Sequence, residues 1–219
     1  MIDQGLLTDV SKFLLDRDMR VLQGFRLAAT DREHIAKLLD YMDPGPDTLW
    51  GDIGCGFGEP ARIMQELRPD LRFHLVNNNQ FQSGEAAQHF PTWLADMHEL
   101  PFDTEDMDGV MFLFSLCQAD DPSRAIIEAA RVTKPGGKLF VFDYMRNNGD
   151  DYISWKYLHA RFFGLNAMNN MCRLAGWRFG GCVAPEGSNE TFRVMFEDQS
   201  LYHRIFNDLT PVVWWAVRQ

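Results

Sequence analysis

Leu49-Trp-Gly-Asp-Ile-Gly-Cys-Gly-Phe-Gly-Glu-Pro-Ala-Arg62 is the stretch on which the reading of this chain turns. A short apolar run ends in an acid, glycines follow at positions 54, 56 and 58, and a helix begins. Glycines there permit a tight turn without a Cβ clash and let a ligand approach the backbone closely. On its own the pattern fits a dinucleotide cradle, a cradle for another nucleotide-like cofactor, or a turn that serves only packing.

Outward from that turn, helical and strand patterns alternate, which predicts an α/β fold with a doubly wound, Rossmann-like sheet of seven strands and helices on both faces. Amphipathic spacing of Leu6, Leu7, Val10, Phe13 and Leu14 predicts a first helix over residues 5–16. Thr30 with Glu33 three residues on forms a capping box for a second. Strands are expected at 48–53, 71–76, up to Asp96, Met107 to Ser115, Lys138 to Tyr144, 177–183 and 211–217. Between them fall helices ending near Leu67, at 80–89, at 122–133 and over a long region 152–175, while 189–207 stays ambiguous. One domain covers 1–219: an N-terminal helical cap over 1–45, a cofactor-binding core over 46–145, and substrate-side helices and closing strands over 146–219.

Composition narrows the partners. With 31 acidic against 21 basic residues and no Lys/Arg-rich run, a nucleic-acid backbone is disfavoured. No uncharged apolar stretch approaches about 20 residues, so no membrane span is read. The N-terminus has no basic segment followed by an apolar core, and Cys55, Cys117, Cys172 and Cys182 are scattered without metal-ligand spacing. The expectation is a cytoplasmic chain with reduced thiols, no metal and a small-molecule substrate; a homodimer stays open.

An open sheet of this kind binds ligands outside the carboxyl ends of its strands, at the point where strand order reverses. The loops after residues 53, 76, 96, 115 and 144 therefore carry the candidates. The first departs from the dinucleotide pattern G-x-G-x-x-G, because its third glycine comes one position early. That spacing, with Asp52 at the strand end, resembles the first motif of class I S-adenosylmethionine-dependent methyltransferases. The second loop, Asn77-Asn-Asn-Gln-Phe-Gln82, closely resembles a signature of sterol side-chain methyltransferases, which also carry the G-C-G-x-G-x-P-A-R string found at 54–62. The likeness continues through Ala95-Asp-Met97, Leu100-Pro-Phe102 and Lys134-Pro-Gly-Gly137, and is poor outside residues 48–145.

The resemblance implies S-adenosyl-L-methionine as cofactor. Asp52, Gly54 and Gly56 would face its methionine portion and ribose, with Asn77, Asn78 and Gln82 in the second loop and Ser115 after the fourth strand also on the cofactor side. Asp96 would accept from the adenine amino group, and Met97 would back the ring. At Asn77 the family has an acid, so this chain grips a hydroxyl without charge assistance. Ser115-Leu-Cys-Gln-Ala119 matches an acid–x–x–Cys–His–Ala string only in part: Phe114 stands where the acid would be, and Gln118 replaces the histidine.

Phe114, Cys117, Gln118, Trp155 and Phe163 are the candidate substrate contacts, and Asp143, Tyr144 and His159 the candidate catalytic residues. Trp155, His159 and Phe162/Phe163 share helical spacing, so that stripe reads equally as core. The expected reaction is methyl transfer to a small molecule, with the alkene carbon of an isoprenoid or sterol-like compound favoured. Such an acceptor leaves a carbocation that needs aromatic faces and a base. N- or O-methylation of a small metabolite, and non-catalytic cofactor binding, remain alternatives. If the alkene carries a diphosphate, Arg146, Lys156, Arg161 and Arg173 lie in the part of the chain that could meet it.

Overall fold

The computed structural model describes residues 4–148 and 152–219. Seven strands form one mixed sheet in the order β3-β2-β1-β4-β5-β7-β6. They are β1 (Leu49–Ile53), β2 (Arg72–Asn77), β3 (Thr92–Leu94), β4 (Met107–Leu113), β5 (Thr133–Arg146), β6 (Trp177–Val183) and β7 (Leu209–Arg218). The first five run parallel, and β7 inserts antiparallel between β5 and β6. Strand order reverses between β1 and β4, so a crevice opens at their carboxyl ends.

Alternation along the central strands explains the layers. Met111 in β4, and Phe140 and Phe142 in β5, point into one core with α2 (Asp31–Met42), α3 (Glu59–Leu67) and α9 (Gln199–Phe206). Val110, Phe112, Leu139 and Val141 point into a second core with α5 (Pro122–Val132) and α7 (Leu165–Leu174). Both faces of β4 and β5 are thus covered, which is why their sequences read as unbroken apolar runs. The remaining helices are α1 (Gln4–Leu15), α4 (Gln80–Ala86), α6 (Tyr152–Leu158) and α8 (Glu190–Met195). Thr30 caps α2 as expected, its hydroxyl oxygen accepting from the Glu33 N–H.

One helix expectation is corrected. The region 152–175 is two helices, because His159 adopts a left-handed backbone (φ 49°). The segment after it is tied elsewhere: the Arg161 N–H donates to the Cys117 carbonyl at 2.7 Å, and the Arg146 N–H to the Phe163 carbonyl at 3.2 Å. Those bonds replace the helical ladder, so Trp155, His159 and Phe162 do not form one helical face. The ambiguous 189–207 resolves into α8 and α9. Lys134-Pro-Gly-Gly137 lies within β5, where the pairing with β4 jumps from Met107↔Thr133 to Gly109↔Lys138.

Candidate active site

A cleft at the β1/β4 crevice holds about 1130 Å³ of space counted out to its mouth. Its wall gathers Asp52, Gly54, Gly56, Asn77, Asn78, Gln82, Asp96, Met97, Ser115, Phe114 and Gln118, all singled out from sequence. Gly54 and Gly58 are packing glycines at positive φ (77° and 74°): a Cβ would stand 2.4 Å from Ser115 Cβ in the first case and 2.8 Å from Leu75 Cδ2 in the second. The Gly54 and Cys55 N–H groups donate to the Val76 carbonyl, and the Ser115 hydroxyl donates to the Ile53 carbonyl. The ends of β1, β2 and β4 are thereby pinned together around the turn.

Asp52 is 1% exposed, and its Oδ2 is buried with no hydrogen-bond partner. Burial raises its carboxyl from the ordinary range to about 7. A carboxylate left so is costly unless a donor arrives.

The second loop is used differently from the expectation. Asn77 Nδ2 donates to the Gly56 carbonyl at 3.2 Å and to Gln82 Oε1 at 2.8 Å, so these amides grip the glycine turn and each other. Asn79 caps α4, accepting from the Gln82 N–H at 3.0 Å. Its amide donates to Gln4 Oε1 at 3.0 Å and Thr8 Oγ1 at 3.1 Å, while Gln82 Nε2 donates to Ser11 Oγ at 2.9 Å. The amide-rich loop is therefore the dock for α1. Asn78 is the exposed member of the triplet on the cleft wall.

At the β3 end, Asp96 Oδ1 accepts from the His98 N–H at 2.9 Å and from the His98 ring at Nδ1. His98 Nε2 accepts from the Asp121 N–H at 3.1 Å, so the proton sits on Nδ1 and the ring orients the Asp96 carboxylate. Sequence reasoning passed over His98.

The acceptor-side candidates divide. Phe114 lines the cleft in a left-handed backbone (φ 57°), held by its N–H to the Phe142 carbonyl at 2.8 Å. Its ring meets Phe142 and Tyr144 edge-on at 4.8 and 5.3 Å. Tyr144 continues inward to Phe162 and Phe206, and its hydroxyl donates to Asn189 Oδ1.

Neither Asp143 nor His159 reaches the wall, which corrects their expected placement as bases. Asp143 is 5% exposed and accepts from the Cys117 N–H at 3.0 Å and the Tyr144 N–H at 2.9 Å. Burial nevertheless raises its carboxyl to about 7, and it anchors the loop after β4 to β5. Cys117 is buried in that loop, its thiol pushed up by burial and by the nearby Asp143 charge. His159 packs on Trp155, whose other neighbour is the Arg161 guanidinium at 4.2 Å. Phe163 packs against the second core, on the opposite face of the sheet.

The basic residues considered for a diphosphate do not converge on the cleft: Arg146 donates to Ser154 Oγ at 2.9 Å, Arg161 to the Asp120 carbonyl at 3.2 Å, and Lys156 and Arg173 are exposed. The cation on the wall is Arg20, which belongs to an irregular strap over residues 19–25 together with Leu22 and Gln23. The strap lies within the expected N-terminal cap over 1–45, but it is irregular instead of helical, and Arg20, Leu22 and Gln23 were not singled out from sequence.

Residues 51–141 match the family model described as a methyltransferase domain. Over that segment, which is less than half of its length, the chain is similar to methyltransferase domains. It is 41% identical over 111 residues to a ubiquinone/menaquinone biosynthesis C-methyltransferase of Bordetella parapertussis, covering 47% of this chain and 42% of that protein. With squalene methyltransferase 2 of Botryococcus braunii it shares 21% identity over 168 residues, 72% of this chain and 43% of the relative. The chain thus spans less than half the length of the curated relatives it matches.

Among solved structures it resembles the [4+2]-cyclase SpnF, at TM-score 0.78 and 17% identity, over 98% of this chain and 94% of that one. It also resembles geranyl diphosphate C-methyltransferase from Streptomyces coelicolor A3(2), at TM-score 0.73 and 16% identity, over 86% and 80%. At such identities the likeness establishes the fold. None of the described helices is long and apolar enough to cross a membrane.

Proposed function

We propose that this methyltransferase domain uses S-adenosylmethionine to methylate a small molecule, with an alkene carbon of an isoprenoid or sterol-like compound as the favoured acceptor. The observation that carries the cofactor reading is Asp52, whose buried, partnerless Oδ2 lies on the cleft wall two residues before the glycine turn. The cofactor's α-ammonium supplies the donor and the charge that this carboxylate lacks. The groups farther along the wall fit the rest of the cofactor: Asn78 is exposed at the β2 end for the ribose, and Asp96, oriented by His98, offers Oδ2 to the adenine amino group.

Bound there, S-adenosylmethionine supplies an electrophilic methyl on a sulfonium. The chain's own residues then position the acceptor and exclude water, the main requirements of an in-line displacement. Around the end of β4 the wall is Leu113, Phe114, Ser115, Gln118, Ala119 and Asp120, so one aromatic ring and one carboxylate stand there. An alkene needs no deprotonation before attack, the Phe114 ring offers an aromatic face to the cation formed afterwards, and Asp120 is a carboxylate on the same wall. The names of squalene methyltransferase 2 and geranyl diphosphate C-methyltransferase, both similar to this chain, support the same acceptor class.

Calorimetric titration with S-adenosylhomocysteine, followed by transfer of radiolabelled methyl to a panel of prenyl compounds, sterols and small amines, tests the proposal. Binding plus a carbon-methylated prenyl or sterol product is expected. Methylation of amines alone would replace the favoured acceptor, binding with no product across the panel would favour the non-catalytic reading, and failure to bind would remove the cofactor reading.

A further inference from the structure

A short chain of hydrogen bonds ends on the cleft wall without a partner. Leu27 donates its backbone N–H to His34 Nδ1 at 3.0 Å. Because that nitrogen accepts, the imidazole proton sits on Nε2 and is donated to Gln23 Oε1 at 2.6 Å. This fixes which end of the Gln23 amide is which, since the oxygen is taken by His34 and the amino group faces the other way. Gln23 is 3% exposed, and its Nε2 is buried with no hydrogen-bond partner. Its neighbour Leu22 closes over the glycine turn, where a Cβ on Gly56 would stand 3.3 Å from Leu22 Cδ1.

The same cleft therefore holds two unsatisfied buried groups of opposite sense: a donor at Gln23 Nε2 and an acceptor at Asp52 Oδ2. Each costs folding free energy while empty, because its hydration is lost and nothing replaces it. A ligand that carries a cation and an anion on one carbon can meet both, and a zwitterionic α-amino acid is such a ligand.

We propose that the Gln23 amide is the donor for the carboxylate of the cofactor's amino-acid end, and that His34 is the positioning residue that orients it. This rests on the S-adenosylmethionine reading above and assigns the carboxylate a partner in the strap. His34 suits the role because it is fully buried, lies tilted against Phe142 at 5.8 Å, and is hydrogen-bonded at both ring nitrogens. Burial, with Arg26 and Lys37 nearby, also lowers it to about 3, which keeps the donor–acceptor pattern of the ring constant near neutral pH. Arg20 adds a positive charge on the same wall, although Asp18 at 3.4 Å and Glu85 at 4.0 Å share it.

The test uses the full chain and two probes in calorimetry: S-adenosylhomocysteine, and its decarboxylated counterpart, which keeps the nucleoside and the ammonium. Gln23→Leu is expected to weaken S-adenosylhomocysteine about 10- to 100-fold, the range for a hydrogen bond to a charged group, and to leave the decarboxylated probe within about 2-fold. Gln23→Glu keeps the oxygen that His34 needs and sets a like charge against the carboxylate, so it should discriminate at least as strongly. Unchanged affinity for the decarboxylated probe also reports that each variant has folded. His34→Leu should weaken S-adenosylhomocysteine on the wild-type background and add nothing on the Gln23→Leu background, as expected for a residue acting through Gln23. Equal loss for both probes, or no loss for either, overturns the assignment while leaving the cofactor in place. A wild-type chain that binds neither probe removes the cofactor reading and the assignment with it.

Discussion

The two halves of the cleft are built by different means. On the cofactor half every residue expected from sequence stands on the wall, because each sits at or just beyond the end of β1, β2, β3 or β4. On the acceptor half, Phe114 and Gln118 reach the wall, whereas Cys117, Asp143, Tyr144, Trp155, His159 and Phe163 are turned into packing or backbone bonding elsewhere. A strand end dictates direction locally. A wall made from the strap and the loop after β4 depends on which distant segments meet. The first half should therefore respond to substitution mainly in binding, and the second mainly in stability.

Phe162 offers the largest contrast. It is 6% exposed and packs edge-on against Tyr144 at 5.6 Å. Phe162→Ala should cost about 3–5 kcal/mol in chemical denaturation and leave S-adenosylhomocysteine affinity within a few-fold of wild type. A large loss of affinity with little loss of stability would erase the division between the halves.

Asp52 sharpens the comparison through pH. Its folded carboxyl titrates at about 7, above the ordinary 3.8, so the unfolded chain binds fewer protons between those values and stability falls as pH rises through that window. The shift corresponds to at most about 4 kcal/mol over that window. Asp143 carries the same sign, whereas His34, lowered to about 3, adds stability as pH rises from there to 6.5. The difference between wild type and Asp52→Asn isolates Asp52: the variant should lose less stability between pH 4 and pH 8, and should bind S-adenosylhomocysteine at least about 10-fold more weakly. Ligand binding near pH 6.5 should release a proton, seen by calorimetry in buffers of different ionisation enthalpy. Parallel stability curves for the two proteins would contradict the burial argument.

A pair of glycines separates a coupled loss from the smallest effect. Gly54→Ala meets Ser115 Cβ at 2.4 Å and a positive φ, so about 2–3 kcal/mol of stability and most ligand affinity should be lost together. Gly84 is exposed in α4 with open space around it, and Gly84→Ala should raise stability by up to about 1 kcal/mol without touching affinity. Thermal unfolding beside the same titration checks both.

Local sequence made the parallel core legible: the apolar runs of β4 and β5, the Thr30 cap and the glycine turn each follow from nearest neighbours along the chain. Asp52, Asn78 and Asp96 were expected through the family resemblance, and all three stand on the wall. Local sequence failed for the helix over 152–175, where good helical spacing was overridden by Arg161 and Arg146 bonding to other segments. It also did not foresee that the Asn77 and Gln82 amides, while on the wall, hold the glycine turn, each other and α1.

By itself, then, the sequence determined the α/β class, the order of elements and which strand-end loops form the cleft, since strand-end geometry and glycine backbone freedom are properties of a few consecutive residues. The residues picked out in those loops came from motif resemblance. Tertiary structure alone decided that residues 19–25 close the cleft, that His34 orients Gln23, and that Asp143 is an anchor within the core. Those facts depend on which groups far apart in the chain satisfy one another's hydrogen bonds and fill one another's volume, and no local pattern encodes that pairing.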